Sequence, residues 1–277
     1  MKDLKEVRAL AQLFRLRTGS VHGVKHAKLG TNNQDAVLVQ EFGIPSWGTS
    51  YRIGLISDGC SGIPAFTHSE VGSNLMVVNC LARIQELIIG GARMEDIPMP
   101  LYHSVTNFMR NLANTIMPAN IHWPFGVQFR GSNAFRNQIN ATRRFTIDYL
   151  AATVAGFIDD GETLVVFRAD DGVVGVNDEV FIVDQNNQPD YPALSINSPG
   201  GGFDVSVYAS AEVPRLWLAT DGLKELLEMP QLGLPGAFFG GDDNPMGLQF
   251  ALNRLRKEYG GKMGDDCTVL TRERLEV

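Results

Sequence analysis

Four segments of this 277-residue chain set an aspartate at the end of an apolar run. IGLISDG (53–59) and LWLATDG (216–222) each carry the run into Ser/Thr-Asp-Gly. NNQDA (32–36) leads into the apolar stretch 36–42, and Gly264-Asp265-Asp266 leads into CTVLT at 267–271. An apolar run buries a strand, so each aspartate falls where the strand leaves the core. The glycine after Asp58 and Asp221 lets the backbone approach a ligand closely and leaves its carbonyl as a further oxygen donor. Carboxylate, carbonyl and water oxygens are what the hard cations Mg²⁺ and Mn²⁺ take. Two such ions about 3.5–4 Å apart hold a water between them, acidify it and neutralise a phosphate. Without cations, carboxylates gathered this way repel one another and take up protons. A lone Asp-Gly is more often a turn or a helix cap. Four on strand ends, in this order, favour a metal centre.

The elements that must bring these four ends together follow from periodicity. Leu4, Val7, Leu10, Ala11 and Phe14 predict an N-terminal helix over 3–17. Residues 36–42 and 51–57 read as strands, with Gly43, Pro45 and Gly48 punctuating the segment between them. Apolar stripes predict helices over 69–89, stopped by Gly90-Gly91, and over 101–117, stopped by Pro118. From 149 onward strands dominate: 149–158, 163–168, 172–176, 179–183, 204–209 and 215–220. Asp159-Asp160-Gly161 reads as a hairpin turn. A helix near 245–257 and a last strand at 267–271 close the chain. This is no regular βαβ alternation. It predicts one α+β domain over 1–277, with antiparallel sheets packed together and covered by helices. Residues 119–145 are irregular and rich in Asn, Arg and Phe; they read as an insertion that shapes the cleft or as an interaction surface, and no periodicity decides between the two.

Composition narrows the function. Lys plus Arg is 24 against 31 for Asp plus Glu, and the net charge of −7 argues against non-specific nucleic-acid binding. Residues 97–147 hold five Arg and no acid, whereas 148–277 hold 22 acids and 9 bases, so the middle arginines either pair with those acids or meet an anionic substrate beside bound cations. No apolar run is long enough for a membrane span. The N-terminus mixes charges through its apolar positions, unlike a secretory signal. Three cysteines (Cys60, Cys80, Cys267) suit a reducing cytoplasm. Cys60 is followed by no Arg within a Cys-x5-Arg loop, so a cysteine nucleophile is not expected. Cys60 and Cys267 read as buried packing groups, with an oxidation switch as the lesser alternative. Pro199–Gly202 (PGGG) lacks a following Lys-Ser/Thr, so it is a flap or plain loop rather than a nucleotide-binding loop.

Taken in order, NNQDA, SDGCSG, AATVAGF, VFRADDG, LATDGL and GDDCTVL resemble the motifs of the metal-dependent Ser/Thr protein phosphatases of type 2C, in a variant bacterial-like subgroup. The resemblance runs from about Gly23 to Thr271. It implies a four-layer α-β-β-α sandwich, two antiparallel sheets with helices on the outer faces, holding two Mn²⁺ or Mg²⁺ ions. By position, Asp58 would bridge both ions and the Gly59 carbonyl would ligate one. Asp35 would help hold the ion nearer the N-terminal motif, largely through water, and Asp221 and Asp265 would hold the other. Asp266 stands where the family has Asn. Asp148 would join Asp221 at a weaker third ion. Thr153 and Asp170 fall in structural motifs. Two positions depart from the pattern: the phosphate-gripping Arg is Gly30, and the Glu before the first Asp is Gln34. His22, His26, Lys28, Arg143 and Arg144 are the candidates to grip phosphate instead.

The reaction implied is hydrolysis of phosphoserine or phosphothreonine in proteins. A metal-bridged water would attack in line with the leaving alkoxide, with Asp35 and Asp58 as catalytic residues through the metals they hold, and His26 would protonate the leaving oxygen. The expected partner is a phosphorylated protein, with neither nucleic acid nor membrane, for a monomer in the cytoplasm. The alternatives are a phosphatase-like module that binds phosphoprotein without turnover, and a hydrolase of a small phosphorylated compound.

Overall fold

Strands buried on two faces carry the architecture. In Val154–Asp159 all six residues are buried. Ala155 and Phe157 face one apolar layer, and Val154 and Ile158 face another, as the period of two requires. The computed structural model describes residues 14–59, 68–116, 142, 145–169, 171–183, 191–194, 201–239 and 244–275. Its strands are β1 (Phe14–Val21), β2 (Ala36–Ile44), β3 (Thr49–Ser57), β4 (Val154–Asp159), β5 (Thr163–Ala169), β6 (Val173–Val176), β7 (Glu179–Ile182), β8 (Asp204–Ala209), β9 (Arg215–Ala219) and β10 (Cys267–Arg274). They form two antiparallel five-stranded sheets, ordered β1-β10-β9-β6-β7 and β2-β3-β4-β5-β8. The helices are α1 (Val24–Leu29), α2 (Glu70–Ile89), α3 (Pro98–Ile116), α4 (Lys224–Leu227), α5 (Gly236–Phe239) and α6 (Gly247–Tyr259).

Three apolar layers bind these elements. Between the sheets, Ile56, Phe157 and Val166 meet Val174, Leu216, Leu218 and Leu270. Gly54 makes room there: a Cβ on it would stand 2.4 Å from the Phe157 ring and 2.6 Å from Leu270. On one outer face Met76, Cys80 and Ile84 of α2 and Leu101, Val105 and Met109 of α3 cover Ile53, Leu55 and Phe167. On the other, Leu248, Leu252 and Leu255 of α6 cover Trp217, Ala219 and Val269. Each fully buried side chain of this kind contributes about 1.5–3 kcal/mol. The order is helix, sheet, sheet, helix, as the resemblance implied.

Two expectations about elements fail. The helix predicted over 3–17 cannot include its last residues, because Phe14–Arg17 open β1 and pair with Arg274–Thr271 of β10. Phe14 completes a helical stripe on paper. In the fold its ring lies under the guanidinium groups of Arg52 and Arg272, at 4.5 and 4.0 Å, while Arg15 pairs with Glu273 across the strands. The strand predicted from 149 begins only at Val154, because Thr146–Leu150 form a π-helical turn. The hairpin at 159–161 is present: Asp159 Oδ1 accepts from Gly161 N at 2.8 Å, Asp160 Oδ1 accepts from Thr163 N at 2.7 Å, and Gly161 takes φ +91°. Among the described residues, no helix is long and apolar enough to cross a membrane. Residues 1–13, where the rest of the predicted helix falls, and most of the 119–145 segment lie outside the described residues.

Candidate metal centre

Strand register gathers the aspartates at one end of the sandwich. Ala36 pairs with Ser57, so Asp35 and Asp58 flank one rung of β2 and β3. Val173 pairs with Ala219, so Asp171, two residues before, and Asp221, two residues after, fall opposite each other. Carboxylate oxygens of Asp58, Asp171 and Asp221 lie within 4.8 Å of one another. Asp171 is the member that sequence reasoning missed. Its signal was the doublet in ADDG, read as a structural turn around Asp170, which lies outside the described residues.

Backbone contacts fix the individual ligand candidates. Asp58 N donates to Thr153 Oγ1 at 3.0 Å, and Thr153 N donates back to the Asp58 carbonyl at 2.8 Å. A side chain at Gly59 has no room: its Cβ would stand 2.8 Å from the carbonyl oxygens of Gln34 and Ser69. Asp35 is buried and accepts from Thr220 Oγ1 at 2.8 Å, while its Oδ1 has no hydrogen-bond partner among the described residues. Asp221 Oδ1 is likewise buried and without a hydrogen-bond partner among the described residues. Burial, then the charges of Asp266 and Asp221, push the Asp35 carboxyl up to about 8. Burial, then Asp265 and Asp171, push Asp221 up to about 6. Asp58 is raised well above the carboxylate range by burial and then by Asp221. Buried carboxylates with unpartnered oxygens and mutual repulsion, all hard oxygen donors, fit a divalent cation.

A second group lies beside the first. His26 Nδ1 is 2.9 Å from Asp266 Oδ2 and its Nε2 is 3.4 Å from Asp265 Oδ1. Asp266 also accepts from Gly23 N at 2.7 Å and from Gln34 N at 2.6 Å. It therefore clasps α1 and the entry to β2 onto the start of β10. The clasp is tight, since a Cβ on Gly23 would stand 2.3 Å from the Asp265 backbone. The hydrogen bond to Asp266 raises the His26 pKa against the opposing effect of burial.

The remaining sequence candidates scatter. His22 Nε2 is 4.0 Å from Asp266 Oδ1, and Lys28 is exposed in the last turn of α1. Gly30 caps α1 with φ +71°, a conformation that an Arg would adopt only with strain. The departure from the family pattern there has a backbone cause. Asp148 is buried on the π-helical turn, where its carbonyl accepts from His68 N at 2.8 Å, and it belongs to neither carboxylate group. Arg143, Arg144, Cys60 and Pro199-Gly200 lie outside the described residues. Cys267 is buried as expected, and burial holds its thiol well above the usual range, which makes it a poor nucleophile.

The family model described as Protein phosphatase 2C matches residues 22–241. Among solved structures, the catalytic domain of the serine/threonine protein phosphatase PstP in complex with 2 manganese ions is similar with a TM-score of 0.57 and 13% identity, over 95% of this chain and 99% of that one. The serine/threonine phosphatase Stp1 from Staphylococcus aureus is similar with a TM-score of 0.58 and 10% identity, over 95% and 96%. The phosphatase domain of SpoIIE from Bacillus subtilis, with a fragment of its regulatory domain, is similar with a TM-score of 0.51 and 15% identity, over 95% and 65%. At these identities the likeness is one of fold. No curated protein matches the sequence.

Proposed function

The chain belongs to the protein phosphatase 2C family, and from that premise we propose that it hydrolyses phosphoserine and phosphothreonine in proteins with divalent cations held by its buried carboxylates. The observation that carries this reading is the group of Asp58, Asp171 and Asp221 beside Asp35, where burial and mutual repulsion leave oxygens without partners. Asp58, the Gly59 carbonyl, Asp35, Asp221 and Asp265 would hold two Mn²⁺ or Mg²⁺ ions. When bound, the cations supply the charge that makes water nucleophilic near neutral pH and offsets the charge of a phosphate.

The protein's own residues do the rest. Thr153 fixes the backbone at Asp58, and Thr220 orients Asp35. His26 holds a proton on Nδ1 toward Asp266, which leaves Nε2 facing Asp265. That geometry suits a positioning residue for Asp265 better than an acid at the leaving oxygen, because Nδ1 and Nε2 both face carboxylates. The proposed setting is the cytoplasm, and the proposed partner a phosphorylated protein.

The test is hydrolysis of para-nitrophenyl phosphate and then of phosphopeptides, with Mn²⁺, with Mg²⁺ and with chelator, beside Asp221→Asn. Metal-dependent turnover that drops by at least about 100-fold in the variant is expected, since charge stabilisation carries most of such a rate. A folded protein that binds Mn²⁺ but turns over nothing would instead favour a phosphoprotein-binding module, the reading that the glycine at position 30 supports.

A further inference from the structure

A phosphate group approaching this end of the sandwich meets Asp35, Asp58, Asp171, Asp221 and Asp265. A cationic side chain at their rim would add a hydrogen-bond donor for its oxygens. The basic groups near the site differ in how far they are already committed. His26 is buried with both ring nitrogens toward carboxylates. Lys25 lays its stem against Gly264, its Cδ 3.4 Å from where a Cβ there would be. Lys28 stands exposed on α1.

Lys224 differs from these. It opens α4, three residues after Asp221, and its Nζ stands 3.9 Å from Asp171 Oδ2. That distance keeps the ammonium beside the carboxylate group without a hydrogen bond, and Lys224 donates none among the described residues. An ammonium has three donors, and this side chain is 23% exposed, so its tip faces both the carboxylates and solvent. The neighbouring Glu225 turns to Lys262 at 3.6 Å, which leaves Lys224 to the site. A charge-assisted bond from such a group to a phosphate oxygen is among the stronger hydrogen bonds a protein makes.

We propose that Lys224 is the basic side chain that binds the phosphate at this site, held at the rim by Asp171. The proposal rests on the phosphatase reading for its substrate. Its test is calorimetric titration of the Mn²⁺-loaded protein with inorganic phosphate, for wild type, Lys224→Met and Lys224→Arg, with the Mn²⁺ affinity of each measured beside it. Lys224→Met should weaken phosphate binding about tenfold or more, as loss of a hydrogen bond to a charged group does. Mn²⁺ affinity should hold or tighten, because a cation has left the neighbourhood. Lys224→Arg should return phosphate affinity to within a few-fold of wild type. Unchanged phosphate affinity in Lys224→Met, with tighter Mn²⁺ binding, would overturn the proposal and make Lys224 only a counter-charge for Asp171. Absence of phosphate binding by the wild-type loaded protein would overturn it as well. Turnover of para-nitrophenyl phosphate decides the phosphatase reading separately: a protein that binds phosphate through Lys224 yet hydrolyses nothing would sink that reading and not this one.

Discussion

Asp159 and Asp35 are both buried, at 0% and 8% exposure, and their surroundings differ in sign. Asp159 lies between the sheets, where its Oδ2 accepts from Arg272 Nε at 2.8 Å and from Arg52 Nη1 at 3.3 Å. Its Oδ1 accepts from Gly161 N. Both guanidinium groups lie over the Phe14 ring, and Arg272 also reaches Ser210 Oγ and the Val213 carbonyl. Asp35 accepts from the Thr220 hydroxyl, its Oδ1 has no hydrogen-bond partner among the described residues, and further carboxylates surround it. Where the chain encloses its own counter-charge, an aspartate is structural. Where the carboxylates outnumber the cations beside them, as around Asp35 and Asp221, a ligand can supply the balance.

The largest effect expected from this contrast is on activity. Asp58→Asn should cut metal-dependent turnover by at least about 100-fold, while the melting temperature of the metal-free protein stays level or rises, because a repulsion has gone. A fall in metal-free stability would blur the contrast, since it would mean that Asp58 also holds the fold. The converse should hold for Arg272→Met, which takes from the buried Asp159 its shorter ion pair and leaves it only Arg52 and Gly161 N. It should destabilise the protein by about 3–5 kcal/mol, a drop of roughly 10 °C in melting temperature at this size, and the folded fraction should keep its metal-dependent turnover.

The pH dependence sharpens the contrast further. The Asp35 carboxyl at about 8 and the Asp221 carboxyl at about 6 lie above their unfolded value of 3.8. Folding therefore takes up protons, and the stability that this contributes is complete below about 4 and lost as pH rises through about 6 and 8. Melting of the chelated protein should fall across that window, whereas Mn²⁺ should raise it more at pH 8 than at pH 6, because ligands must lose protons to bind. A flat melting curve from pH 4 to 8 without metal would contradict the account. The smallest effect belongs to the exposed pair Arg254–Glu258 on α6: Arg254→Ala should cost ~0.5 kcal/mol at most and leave turnover unchanged.

Much of this was legible in the chain. Apolar runs such as IGLIS and LWLAT need two buried faces, so the strands and the aspartates at their ends could be read directly. Asp171 could not, because only the pairing of Val173 with Ala219 sets it opposite Asp221, and a single sequence does not print its register. The same holds for Phe14–Arg17, whose strand conformation is decided by pairing with β10 and not by the residues alone. Six-residue α1 is too short for a periodic stripe, so the clasp from Asp266 to Gly23, His26 and Gln34 was invisible. Gly30 stands out in the sequence as a departure, but its reason, a left-handed cap, is a property of the backbone.

The most direct test of the central claim is a calorimetric and thermal-melt titration of chelator-stripped protein with Mn²⁺ near pH 7.5, for wild type and Asp58→Asn. Saturable binding by the wild type is predicted, with stabilisation of about 2.7 kcal/mol once Mn²⁺ reaches a hundred times its dissociation constant, and loss of most of both in Asp58→Asn. Equal binding by the two proteins, or none by either, would contradict the claim that this group of carboxylates is a metal centre.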